Sequence, residues 1–123
     1  MISTAAALHS FLSGFGIPAY VVNTVPDEAE LPYLTYPLTE PEWNGPATFY
    51  VQVYTRNKTQ NAPALRKADQ IVQAIGPSGV RIPCDGGYVV LNIQNPTVQL
   101  IVDGDIRSAY INLQINAYHM PGI

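Results

Sequence analysis

The residues able to do chemistry in this chain are few and scattered. His9 and His119 stand near opposite ends, and Cys84 is the only cysteine. A Cys–His pair can supply a nucleophile and its base, but only when both are held within hydrogen-bond reach, and no flanking motif supports that here. Cys84 reads better as a small packed hydrophobe. Asp85, Asp103 and Asp105 could gather a hard cation through carboxylate oxygens. The glycine between Asp103 and Asp105 favours a tight turn instead, because Asp and Gly are the residues such turns require. Gly76-Pro77-Ser78-Gly79 is too short and too proline-broken to wrap a phosphate. Glu40 and Glu42 flank a proline in a loop, a poor place to hold an acid/base pair. Asn57-Lys58-Thr59 is formally a glycosylation sequon, relevant only to a secreted chain. The expectation is no catalytic set, no cofactor and no metal, hence not an enzyme.

Composition narrows the class. A length of 123 residues predicts one domain over 1–123, large enough to bury a real core without a metal or disulfide. Charged residues make up 12% of the chain, where about 25% is typical, while the hydrophobic share of 47% is ordinary. Tyr, Asn, Gln, Thr and Pro have replaced charge. Depletion of charge with enrichment of tyrosine characterises interface cores, so much of the surface is expected to meet other protein. A net charge of −3 and a pI near 5.1 argue against a general nucleic-acid binder. The longest apolar stretches fall short of the roughly 18 residues that cross a bilayer. No basic residue precedes the apolar Ala5–Leu8 segment, as a signal peptide would require. With a lone cysteine, the expected compartment is a reducing cytoplasm, with no membrane partner.

Periodicity supplies the elements that must position any site. Ser3 and Thr4 precede a helix whose Leu8, Phe11, Leu12 and Phe15 make one apolar stripe, ended by Gly14, Gly16 and Pro18. A short strand is expected at 19–22. Residues 31–38 are β-prone but proline-punctuated, which predicts an edge strand or a change of direction. Loops at 25–30 and 40–46 are expected to be mobile contact arms. A strand at 48–56 follows, then a helix capped by Asn61 with Leu65, Ala68, Ile71, Val72 and Ile75 on its buried stripe. Strands at 80–82, 88–93, 98–102 and 108–119 close the chain. They are separated by the turn at 84–87, by Gln94-Asn95-Pro96 and by the hairpin marker Asp103-Gly104-Asp105. The fold class is α+β: a mostly antiparallel twisted sheet with an N-terminal helix and one central helix packed on one face.

The two long strands alternate strictly. Phe49, Val51 and Val53, with Ile111, Leu113, Ile115 and Ala117, make a core face. Tyr50, Gln52, Tyr54, Tyr110, Asn112, Gln114, Asn116 and Tyr118 fall on the other face. Such a face can be wetted, yet loses little on desolvation when each amide finds a partner. These eight residues are the candidate interface; an ordinary solvated sheet face and a pocket floor for a small molecule are the competing readings.

In its order of elements the chain resembles the tail terminator, or tail-completion, proteins of long-tailed bacteriophages, some of them labelled minor capsid proteins. The features that carry the likeness are the short N-terminal helix, the Leu31-Pro32-Tyr33-Leu34-Thr35-Tyr36 strand, and the long strand Phe49-Tyr50-Val51-Gln52-Val53-Tyr54. The helix over 65–75 and the closing strands ending Ala117-Tyr118-His119 complete it. The resemblance implies a structural subunit that assembles with itself into a ring, usually hexameric. Such a ring stops polymerisation of the tail-tube protein and joins the tail to the head-completion or connector protein. DNA would pass through without sequence-specific binding, and the protein would reside in the virion after assembly in the host cytoplasm. A head–tail connector stopper or a tail-tube protein is the neighbouring alternative. A ring lining a DNA passage is often acidic, whereas here the acidic residues fall mainly in turns and loops.

Overall fold

The computed structural model describes residues 3–39 and 41–120. Helix α1 (Thr4–Leu12) starts where expected, with the Ser3 hydroxyl accepting the Ala6 N–H at 3.1 Å. It tightens into a 3-10 turn at Ser13–Phe15 and stops at Gly16 in the left-handed region. Strands β1 (Ala19–Val21), β2 (Tyr33–Tyr36) and β3 (Pro46–Arg56) lead to helix α2 (Ala62–Ile75). Strands β4 (Val80–Cys84), β5 (Gly87–Asp103) and β6 (Ile106–His119) then complete a six-stranded sheet in the order β1-β2-β3-β6-β5-β4. Among these six strands β1 and β2 run parallel and the other neighbours antiparallel. The fold is therefore the α+β class that periodicity predicts. No described helix is long and apolar enough to cross a membrane.

Burial follows the alternation. Phe49, Val51, Val53, Ile111, Leu113, Ile115 and Ala117 are all buried on one face, with Val89 and Leu91 beside them. Helix α2 packs on β3, β5 and β6, while α1 packs on β4 and β1. The buried stripe of α2 is Ala64, Ala68, Ile71 and Ile75. Leu65, expected in that stripe, is 40% exposed. The small Ala64 takes the inward position, which lets the helix start lie close to the sheet.

Three further expectations are corrected. The proline-punctuated strand is not at an edge: β2 lies between β1 and β3. Pro32 and Pro37 flank it rather than sit within it, so no ladder N–H is missing. The strands expected at 88–93 and 98–102 are one strand, β5, whose register shifts between Ile93 and Val98. Pro96 is tolerated there because β4 covers β5 only as far as Leu91, so one side of β5 is an edge from there on. The Asn112 side chain donates to the Pro96 carbonyl at 2.6 Å and fastens the bulge. Asn61, expected as a cap, stands at the start of α2 in helical conformation and makes no capping bond. Its side-chain oxygen accepts from Arg107 instead, at 2.7 Å.

Of the segment at 40–46, Glu40 lies outside the described residues. From Trp43 onward that segment is tied to the sheet: Trp43 bridges Ala117, the Asn44 N–H donates to the Ala117 carbonyl, and β3 begins at Pro46. The hairpin marker holds, with a two-residue Gly104-Asp105 turn between paired Asp103 and Ile106 and Gly104 at φ 62°.

Tyr36 links α1 to the sheet, its hydroxyl 2.9 Å from His9 Nδ1. Burial raises its pKa above the ordinary 10.0. The unfolded chain then ionises first, so this contribution is complete below pH 10.0 and is lost as pH rises through the higher folded value. Tyr36→Phe is expected to shrink the alkaline fall in stability in a pH series of denaturation midpoints. An unchanged alkaline limb would count against burial of the ionisable hydroxyl.

Candidate functional site

The face opposite the helices is built by register. Tyr50 stands across from Asn112, Gln52 from Tyr110, Thr48 from Gln114 and Pro46 from Asn116. On the far side of β6, Gln99 faces Tyr110, Asn92 faces Gln114 and Tyr88 faces Tyr118. All eight residues singled out in the sequence therefore share one surface. Sequence reasoning missed Tyr20, Tyr33 and Tyr88, which register adds to the same face: Tyr33 lies opposite Tyr54, and Tyr20 opposite Thr35. Their strands are short or interrupted, so alternation alone could not orient them.

The aromatic rings meet in cross-strand groups. Tyr20 packs edge-on against Tyr33 at 5.6 Å, and Tyr33 lies tilted against Tyr54 at 5.4 Å. Tyr50 stacks on Tyr110 at 4.8 Å and Tyr88 on Tyr118 at 5.3 Å. Such pairs stabilise sheets and fix rotamers, which lowers the entropy lost on contact with a partner. The amides are likewise engaged. Gln52 donates to the Ser108 hydroxyl at 3.0 Å, Gln94 to Gln114 at 3.3 Å, and Asn112 to Gln99 at 3.0 Å. Burial, with Tyr50 close by, raises the Tyr110 pKa above the ordinary 10.0.

Charge is confined to the margins of this surface. Arg81 lies over the Tyr88 ring at 4.1 Å, and Arg56 pairs with Asp105 at 2.8 Å at the hairpin end. The bulged residues of β5 overhang the centre and leave a concavity of about 600 Å³ lined by Tyr50, Tyr110, Asn112, Gln94 and Asn95 with Pro37.

The remaining candidates stay apart. Cys84 is buried, with the Thr4 hydroxyl 3.7 Å from its sulfur. His9 lies by Tyr36 and Ser13, and His119 against Trp43 at 5.3 Å. Among the described residues no three of His, Cys, Asp and Glu gather as a metal site.

No family model matches this sequence, and no curated protein matches it. Solved structures do match the fold. One aligns over 94% of this chain and 94% of its own with a TM-score of 0.69 at 18% identity. At that identity the likeness establishes the shared fold alone.

Proposed function

We propose that this chain is a structural subunit of a long-tailed bacteriophage, forming a ring that terminates the tail tube and joins it to the head connector. The observation that carries the reading is the open sheet face: a broad surface of cross-braced tyrosines and amides with its charges at the rim. A face built to stay in water would carry Lys, Glu and Arg on its alternating positions. This one keeps rigid amphipathic rings and pre-bonded amides, which favour contact with protein over solvation. The same surface serves contact with the tail-tube and head-completion proteins.

The test places charge on that face with Tyr54→Glu together with Gln114→Lys, which adds no net charge. Folding is expected to remain intact by circular dichroism, and tails assembled in the presence of the variant are expected to lose length control and head joining. Normal tails joined to heads would sink the proposal. The concavity beside Tyr50 and Tyr110 favours one second reading, a small-molecule site. That reading requires a ligand-dependent rise in melting temperature, abolished by Asn112→Leu.

A further inference from the structure

The sheet ends in β1 on one side and, on the other, in β4 together with the outer part of β5; β1 and that part of β5 match each other. The outer part of β5 is the stretch that β4 leaves uncovered beyond Leu91. Following the register across the sheet, Ala19 is level with Leu34, Val53, Ala109 and finally Leu100. Tyr20 is level, by the same route, with Thr35, Gln52, Tyr110 and Gln99. One parallel and three antiparallel pairings separate the two edges, so β1 and β5 run in opposite directions.

Their outward backbone groups match at Ala19 and Leu100. The Pro18 carbonyl accepts from Leu34 and the Val22 N–H donates to Tyr36, so the groups of residues 18, 20 and 22 point toward β2. Alternation leaves those of Ala19 and the Val21 N–H pointing outward, while the Val21 carbonyl is taken locally, accepting from the Thr24 N–H at 3.0 Å and the Thr24 hydroxyl at 2.6 Å. In the β5–β6 hairpin the two-residue turn makes Asp103 and Ile106 the facing pair. Counting back by twos, Ile101 and Gln99 face β6, while Val98, Leu100 and Val102 present their N–H and C=O outward. Outward Ala19 is therefore level with outward Leu100.

The outer part of β5 is also unprotected. Edge strands are usually blunted by brevity, charge or proline. β1 is three residues long, and β4 carries Arg81 and Pro83. Residues 97–102 contain neither charge nor proline, and Leu100, Ile101 and Val102 are 37%, 43% and 50% exposed. Three adjacent large apolar side chains on a bare edge mark a pairing site.

We infer that β5 residues 98–102 pair antiparallel with β1 of a second copy of this chain, Leu100 opposite Ala19 and Gln99 opposite Tyr20. Neither edge segment carries charge, so no like charges are opposed. The tyrosine–amide face and the apolar face each continue unbroken across the junction, because Tyr20 and Gln99 share one face and Ala19 and Leu100 the other. The contact is heterologous, and matched levels add no displacement along the strands, the condition under which such a contact closes instead of climbing. The choice of a second copy as occupant rests on the ring reading above.

The experiment is oxidative cross-linking of concentrated full-length protein carrying Tyr20→Cys, Gln99→Cys or both. Residues directly opposite in such a pair lie within disulfide reach. Mixing the two single variants is expected to give a covalent dimer and nothing larger, each single variant alone to stay monomeric, and the double variant to give higher multimers. Adding Leu100→Pro, whose lost N–H points outward, is expected to leave the fold intact by circular dichroism and to abolish the multimers. No cross-link in the mixture, or dimers from Gln99→Cys alone, would overturn the inference. Cross-linked multimers together with normal tails from the Tyr54→Glu, Gln114→Lys variant would leave the contact standing and remove the tail-terminator reading; the reverse pattern would do the opposite.

Discussion

Leu113→Ala and Ile71→Ala are each expected to lower stability by about 2–5 kcal/mol, the range for truncating a fully buried aliphatic side chain. Leu113 lies on the central strand β6 between Phe49 on β3 and Ile93 on β5, and it is essentially inaccessible. Ile71 occupies the middle of the buried stripe of α2, which packs on the same three strands. Both side chains are almost wholly inaccessible, so a cavity term adds to the lost transfer free energy. Against a total stability of about 5–15 kcal/mol, either loss is a large fraction. Urea denaturation should show the midpoint falling with little change in slope. If both variants proved near-neutral, the packing of α2 on this sheet would be wrong.

Arg107→Met is expected to cost about 1.5–3 kcal/mol, the size of a hydrogen-bonding interaction made by a charged group. Arg107 sits near the start of β6, yet its guanidinium reaches the connection between β3 and α2. It donates to the Asn57 carbonyl at 3.2 Å, the Lys58 carbonyl at 2.9 Å and the Asn61 side-chain oxygen at 2.7 Å. Asn57 in turn accepts from the Thr59 and Gln60 N–H groups, so one cation organises the whole turn into the helix. Methionine keeps the aliphatic stem and removes only the donors. Arg107→Lys should recover part of the loss, since an ammonium cannot span three acceptors in a fixed fork. Amide hydrogen exchange should report faster opening at the first turn of α2 in the Met variant. Equal exchange in wild type and variant would show that the turn stands without its anchor.

The alternation of Phe49, Val51 and Val53 against Tyr50, Gln52 and Tyr54, and its repeat in β6, already determined which residues enter the core and which form the polar face. The side-chain period of a strand is two, and strands this long admit one solution. The spacing of Ala68, Ile71 and Ile75 likewise determined α2, and Asp103-Gly104-Asp105 determined the hairpin. All of these are local relations, complete within a dozen residues of chain. Tertiary structure decided what depends on partners distant in sequence. Ala64 displaces Leu65 from the buried stripe because the sheet beneath sets how close the helix can come. Asn61 gives its side chain to Arg107, 46 residues away, in place of capping its own helix. Pro32 and Pro37 prove compatible with an interior strand because β2 is short enough to end before either. Tyr20, Tyr33 and Tyr88 join the face only once register aligns their strands. The two edges are the extreme case: that Ala19 and Leu100 are level depends on four successive pairings, each fixed by packing and by none of the residues between them in the chain.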